Sequence, residues 1–121
     1  MKNKSKVAVC SRSFSKSEIL RKELLSKYKN VKFNNEGIKF VGDSLVEFIA
    51  DSEKIIVGLE IIDRKVLDCC KNIKLISKFG VGTDSLDLKL LEKRGIRVSV
   101  TPGTNSRSVS ELVIALVISI Y

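Results

Sequence analysis

Residues 78–111 read KFGVGTDSLDLKLLEKRGIRVSVTPGTNSRSVSE, and the strongest signals of secondary structure in the chain lie in this stretch. It continues an apolar run at residues 73–76, which predicts a buried strand. Gly80 and Gly82 then predict a tight turn, because glycine adopts backbone angles that other residues resist. A strand is therefore expected to end in a glycine turn at this point of the chain.

A helix, a strand and the start of a second helix are predicted after this turn. Asp84 and Asp87 precede a leucine-rich run that closes at Gly95, and acids at a helix start with a glycine at its end suit the helix dipole and the C-cap. Residues 97–100 predict a short strand. Ser-Val-Ser-Glu at residues 108–111 has the spacing of a capping box, which predicts a further helix.

Strands alternate with helices through the rest of the chain as well. The strand before the glycine turn is predicted at residues 74–78, and the other predicted strands are residues 6–10, 31–33 and 54–57. The other predicted helices run from Ser15 or Ser17 to about Tyr28, from an Asp43 cap, and from an Asp63 cap. This alternation predicts βαβ units with right-handed crossovers. We therefore expect a flavodoxin-like three-layer α/β domain with five parallel strands in the order 2-1-3-4-5.

Length and composition fit one domain with its own core, since 44% of the 121 residues are hydrophobic. The longest apolar stretch, residues 112–121, is about half as long as a membrane span requires, so no membrane partner is expected. The basic start lacks the apolar region of a signal peptide. Cys10, Cys69 and Cys70 have no metal-ligand spacing and indicate reduced thiols in a cytoplasmic protein, with no metal site.

The net charge of +8 raises the question of nucleic-acid binding. Residues 1–30 hold nine Lys or Arg and two Glu, so almost all of the excess belongs to the N-terminal quarter. Aromatic side chains are not interleaved with these charges. A solvated helix face explains the pattern better than a nucleic-acid surface does.

Three loops that follow strands carry candidate binding chemistry: residues 58–60, 80–84 and 101–107. Gly80-Val81-Gly82 can expose consecutive backbone amides to a small anion such as a carboxylate, although the pattern alone favours a tight turn without a ligand. The turn fails the dinucleotide fingerprint, because Ser85 stands where the third glycine is needed. Glu60 has no partner close in sequence and is not expected to be catalytic.

These residues resemble the D-isomer-specific 2-hydroxyacid dehydrogenase family, in particular its phosphoglycerate dehydrogenase-like members. GVGTDSLDL, RGIRV and TPGTNSRSVSELVIAL carry the resemblance, and residues 56–60 with 66–67 are also similar. The resemblance implies an oxidoreductase that interconverts a 2-hydroxy acid and a 2-oxo acid with NAD or NADP.

The resemblance also implies roles for four residues. The amides of Val81 and Gly82 are expected to bind the substrate carboxylate, and Asn105 to contact the substrate. Ser106 is expected to reach the nicotinamide end of the cofactor, which a second domain mainly binds. From the residues alone, Asn105 and Ser106 are ordinary turn and cap chemistry. The family's catalytic arginine lies far downstream, so the resemblance implies that Arg107 is a surface or interface residue.

The resemblance covers only part of the family. The chain contains no histidine, whereas the family uses a His general acid/base, a downstream catalytic Arg and a dinucleotide-binding domain. We therefore expect residues 1–107 to be the substrate-binding domain and residues 108–121 the start of an interdomain helix in a truncated chain. Such a chain holds no catalytic residue and is expected to be inactive by itself.

Two alternative functions remain open, and self-association of the chain is also expected. A non-catalytic domain that binds small anions is compatible with the missing histidine. A flavodoxin- or receiver-like signalling module is disfavoured, because residues 11–13 lack the clustered acids that a receiver needs after its first strand and residues 58–60 lack the phosphoacceptor Asp that it needs after its third. Residues 112–121 are apolar on every side, which predicts a homodimer through this segment.

Overall fold

The computed structural model describes residues 1–80, 82–100 and 119. Strands and helices alternate over this part of the chain. Their bounds are β1 Asn3–Val9, α1 Arg12–Lys16, α2 Glu18–Lys27, β2 Tyr28–Phe33, α3 Asp43–Ile49, β3 Lys54–Val57, α4 Arg64–Cys69, β4 Leu75–Lys78, α5 Leu88–Lys93 and β5 Arg97–Ser99. The predicted capping box at residues 108–111 and the apolar segment at residues 112–121 fall outside the described residues, except for Ser119.

The five strands form one parallel sheet in the order β2-β1-β3-β4-β5. Val7 pairs with Lys54 across β1 and β3, and Ile76 pairs with Val98 across β4 and β5. This topology confirms the predicted flavodoxin-like α/β domain. Every strand points the same way, so the loops after β1, β3 and β4 lie at one edge of the sheet.

The core lies between the sheet and the helices α3, α4 and α5. Along β3 and β4 the buried side chains alternate with half-buried ones, as the period-2 geometry of a strand requires. The largest fully buried apolar side chains of this core are Leu45, Ile49, Ile55, Val57, Ile62, Leu67, Ile76 and Leu91. Burial of each such side chain stabilises the fold by roughly 1.5–3 kcal/mol.

Two predicted helix starts are confirmed by their caps, and so is one helix end. Asp63 Oδ1 accepts a hydrogen bond from Val66 N at 3.0 Å, and Asp87 Oδ1 accepts one from Leu90 N at 3.1 Å. Gly95 follows α5 with φ +70°, a conformation that glycine adopts without steric cost. Local capping chemistry therefore sets the bounds of α4 and α5.

One further helix is confirmed, and two expectations about helix starts are wrong. The helix predicted from a Ser15 or Ser17 cap to about Tyr28 is α2, which Ser17 caps through its side chain and which ends before Tyr28. The short helix α1 before it was not predicted. Asp43 is the first residue of α3 and not its cap, which is Gly42. Asp84 lies in a turn before α5, since Asp87 already occupies the cap position.

Within the residues that the structure describes, no helix combines the length and the apolar character needed to cross a membrane.

Candidate functional site

Two adjoining clefts open at the edge of the sheet where β1, β3 and β4 end. The turn cleft has a volume of about 430 Å³ and is lined by Ser13, Gly58, Leu59, Lys78, Phe79, Gly80, Gly82, Asp84 and Ser85. The second cleft has a volume of about 600 Å³, and we call it the switch-point cleft because it lies where the strand order changes direction. It is on the other side of Ser13, Gly58 and Leu59, which line both clefts. Ligands of open α/β sheets bind at this edge.

The glycine turn after β4 forms one wall of the turn cleft. Phe79 N donates to Val57 O at 2.7 Å, so the sheet pairing extends to Phe79 and stops there. Gly80 then has φ +147°, which side-chain-bearing residues rarely adopt. A Cβ on Gly80 would meet only Lys78 Cε at 3.8 Å, so the backbone conformation, and not lack of space, requires glycine here. The backbone therefore bends at Gly80, and the predicted turn through Val81 lies outside the described residues.

Two buried charged side chains hold the loop after β3 by a single residue, Gly58. Lys78 Nζ donates to Gly58 O, and Glu60 Oε2 accepts from Gly58 N at 2.6 Å. Lys78 and Glu60 each expose only 9% of their surface. A Cβ on Gly58 would lie 3.4 Å from Ser11 Oγ, so Gly58 and the loop after β1 are in close contact. The two opposite charges therefore fix the loop that separates the two clefts.

Lys78 was not singled out by the sequence reasoning, and a signal for it existed. It ends β4 two positions after the fully buried Ile76, so the two side chains share one face of the strand. A lysine on a buried face at the carboxyl end of a parallel strand indicates a functional positive charge, because ligands bind at this edge of the sheet. Glu60 has a partner that sequence spacing did not reveal, the backbone of Gly58.

The turn cleft also contains a polar atom with no partner. Ser85 Oγ is buried and makes no hydrogen bond to any residue that the structure describes. Buried hydroxyl groups in proteins are nearly always hydrogen-bonded. Ser85 lines the turn cleft, but its hydroxyl oxygen has almost no accessible surface there.

Cys10, at the end of β1, is not activated as a nucleophile. Burial raises the pKa of the Cys10 thiol far above its ordinary value, and the negative charge of Glu60 raises this pKa further. Burial is also the main cause that raises the pKa of Cys70, and the neighbouring Cys69 raises this pKa further. The thiolate is the reactive form, so both thiols are inert at neutral pH. The three cysteines are free, and Cys69 is exposed at the end of α4.

The described residues do not fit a dinucleotide cofactor. After Gly82 the chain turns through Thr83 O to Leu86 N at 3.0 Å, and α5 begins only at Leu88. The Asp87 carboxylate caps that helix, so a negative group already occupies the place where a pyrophosphate would need free amides. Among the described residues there is also no group of three or more His, Cys, Asp or Glu side chains that could hold a metal ion.

Of the four residues with roles implied by the resemblance, the structure describes only Gly82. It is exposed and lines the turn cleft, with open space where a Cβ would be. Val81, Asn105 and Ser106 lie outside the described residues, and so does Arg107. Their implied contacts with a substrate or a cofactor stay predictions.

Comparison with known families gives one match over most of the chain. Residues 7–115 match the family described as D-isomer specific 2-hydroxyacid dehydrogenase, catalytic domain. D-3-phosphoglycerate dehydrogenase 2 of Saccharomyces cerevisiae is 39% identical over 79 residues, which are 64% of this chain and 17% of that protein. Glyoxylate reductase of Thermofilum pendens is 34% identical over 79 residues, or 64% of this chain and 23% of that protein.

Solved structures give the same result. The NAD⁺-bound 3-phosphoglycerate dehydrogenase of Entamoeba histolytica superposes with a TM-score of 0.72 at 26% identity. The superposition covers 93% of this chain and 38% of that one. The chain therefore spans well under half the length of these similar proteins.

Proposed function

This chain belongs to the D-isomer specific 2-hydroxyacid dehydrogenase family, and we propose that it is the substrate-binding part of an NAD(P)-dependent enzyme that interconverts a 2-hydroxy acid and a 2-oxo acid. The observation that carries the proposal is the turn cleft, at the edge of the sheet where such folds bind ligands. The parent enzyme is phosphoglycerate dehydrogenase-like and acts in the cytoplasm. We assign the chain residues 1–107 as the substrate-binding domain.

The substrate carboxylate binds the amides of Val81 and Gly82, and Asn105 contacts the same molecule. Three features of the described residues support this assignment. Gly80 bends the backbone away from β4, so that the chain leaves the sheet at the cleft wall. The Lys78 ammonium adds positive charge to that wall, and Gly82 lines the cleft with open space where a Cβ would be. An anion in this cleft gains charge-assisted hydrogen bonds, which are about twice as strong as neutral ones.

Binding and orientation are the contribution of this chain, and the reacting groups lie elsewhere in the parent protein. The chain has no histidine to act as a general acid/base. The described residues do not fit a dinucleotide, so NAD or NADP is bound mainly by a second domain, with Ser106 as the single contact from this chain. Residues 108–121 begin the helix that connects the two domains, and in this chain residues 112–121 join two copies as a homodimer.

Titration of the isolated chain with D-lactate, followed by amide NMR shifts, tests the binding site. We expect shifts at Phe79, Gly82 and Thr83, and none with the neutral analogue D-lactamide. Gly80→Ala forces a side chain into φ +147° and should abolish the shifts, whereas Gly95→Ala strains a positive-φ glycine outside the cleft lining and should leave them intact. Shifts spread over α1 and α2 would contradict the proposal, because they indicate nonspecific attraction to the basic N-terminal region.

An absorbance assay for NADH separates this proposal from a non-catalytic anion-binding domain. The missing histidine is compatible with that second candidate. The isolated chain should show no turnover with NAD⁺ and a panel of D-2-hydroxy acids. Adding a second domain that supplies the histidine and the dinucleotide site should restore turnover if the chain is part of a dehydrogenase. Continued inactivity with intact D-lactate binding would favour the second candidate.

A further inference from the structure

The switch-point cleft lies where the sheet order changes direction. β1 pairs with both β2 and β3, so the connections after β1 and β3 diverge and leave a crevice at the carboxyl edge. Residues 11–16, 37–42 and 58–66 supply most of its lining. Its volume of about 600 Å³ falls within the roughly 300–1,000 Å³ of small-molecule pockets. Gly80 and Gly82 line only the neighbouring turn cleft.

The cleft has an apolar wall that the fold leaves uncovered. Phe40 is buried in the wall and stacks on Phe48 with ring centroids 4.4 Å apart. Val41, Leu59 and Ile61 are exposed at the rim, Leu59 by 78%. Apolar side chains that gather around one concavity and stay exposed mark a binding surface. The body of a ligand that fits this wall is therefore apolar.

Cationic side chains from separate loops surround the same wall. Arg12, Lys16 and Lys39 line the cleft, and in the part of the chain that the structure describes they make no ion pair and no side-chain hydrogen bond. Lys65 also lines it and lies 3.7 Å from Asp43 Oδ1, an exposed pair that holds it weakly. At least three cationic side chains at the cleft therefore have no ion-pair partner among the described residues.

The two acids of the lining form no ion pair with these cations. Glu60 Oε2 is hydrogen-bonded to Gly58 N, and Asp63 Oδ1 is hydrogen-bonded to Val66 N as the cap of α4. Both carboxylates thus face backbone amides. We propose that the switch-point cleft is a second binding site, distinct from the 2-hydroxy acid site, for an organic anion that carries a phosphate or carboxylate on an apolar body.

Phenyl phosphate is a probe that has both features, and its binding can be followed by amide NMR shifts on the intact chain. We expect saturable shifts at Phe40, Val46 and Ile61, which line only this cleft. Inorganic phosphate lacks the ring and benzyl alcohol lacks the charge, so each should bind at least about fivefold more weakly. Equal binding of inorganic phosphate would overturn the proposal, because the apolar wall would then contribute nothing.

A matched pair of double variants tests the cationic rim. Arg12→Gln with Lys39→Gln should weaken phenyl phosphate binding about threefold to tenfold, since exposed charge pairs contribute modestly. Lys22→Gln with Lys29→Gln removes the same charge from exposed positions outside the cleft and should change the affinity by less than about twofold. An equal loss in both variants would overturn the proposal, because it would show general attraction to a chain of net charge +8. Unchanged spectra of the free variants verify that the fold is intact.

Competition between D-lactate and phenyl phosphate tests whether this site is separate from the proposed 2-hydroxy acid site. Saturation with D-lactate should shift Gly82 and leave the phenyl phosphate affinity unchanged. Loss of the D-lactate shifts alone would contradict the proposed function and leave the second site standing. Displacement of phenyl phosphate by D-lactate would merge the clefts into one site and overturn the inference, as would concentration-dependent shifts without probe that place a second copy of the chain on this wall.

Discussion

The helices α2 and α4 are both capped at their first turn, yet they hold to the sheet by different forces. α2 has ten residues and buries none of them, whereas α4 has six and buries Val66 and Leu67. The cap of α2 is Ser17 and the cap of α4 is Asp63, each accepting a hydrogen bond from an amide three residues later. Local helix signals are therefore equal in kind, and the difference lies in packing.

α2 is held by a polar contact in place of an apolar one. Arg21 Nη1 donates to Ser15 O at 2.9 Å and to Asn35 Oδ1 at 2.8 Å, and the guanidinium lies 4.0 Å from the centre of the Phe33 ring. Ile19 is exposed on the same helix. α4, in contrast, follows the loop of residues 58–63 that lines both clefts. Packing of α4 therefore positions the candidate site, and α2 contributes little to it.

Leu67→Ala should give the largest effect on this comparison. The side chain is almost fully buried in the core, so its loss should lower the free energy of unfolding by about 2–5 kcal/mol. Urea unfolding followed by circular dichroism measures the change. The control Ile19→Ala on α2 should stay within about 0.5 kcal/mol of the wild type. Equal losses for the two variants would show that α2 packs as α4 does.

Arg21→Ala should give the next largest effect, because it removes the main attachment of α2. The loss of two hydrogen bonds from a charged group and one cation–π contact should lower the free energy of unfolding by about 1–2 kcal/mol. Hydrogen exchange should increase in α2 and stay unchanged in α4. Lys22→Ala, one residue along the same helix, is the matched control and should leave exchange unchanged.

The two caps should contribute about equally to stability, whereas the packing of the two helices should contribute unequally. Asp63→Ala and Ser17→Ala each leave a first-turn amide without its acceptor, and each should cost about 1 kcal/mol of stability. Thermal unfolding of the two variants measures this. A much larger loss for Asp63→Ala would mean that the cap acts through the buried face of α4 and not through the helix end alone.

The smallest effect concerns pH and the outer face of α4. A hydrogen bond from Arg94 holds the pKa of Asp68 below its ordinary value of about 3.9. A lowered folded-state pKa stabilises the fold above that ordinary value, and the contribution disappears as pH falls through the folded pKa. Asp68→Asn should therefore be slightly less stable than the wild type at pH 7 and equally stable near pH 2. A difference that persists at pH 2 would contradict a charge effect.

Much of the scaffold follows from local chemistry. The caps at Ser17, Asp63 and Asp87, and Gly95 at the end of α5, appear in the structure where the sequence pattern predicted them. The short helix α1 was not predicted, and Ser15 and Ser17 are equally good cap residues, so only the backbone at Ser17 selects between them as the cap of α2. The candidate site was predicted at its glycine turn and missed at Lys78, whose partner Gly58 is 20 residues away.

The sequence by itself determined the alternation of strands and helices, the helix caps and the glycine at the bend after β4. These features depend on hydrophobic period, capping and backbone freedom, all of which act over a few residues. Only the tertiary structure decided that Lys78 and Glu60 hold Gly58 from two sides, that Ser85 Oγ is left without a partner among the described residues, and that unpaired cations of separate loops surround one apolar wall. Such neighbours come from segments far apart in the chain, and their meeting is set by how the whole core packs.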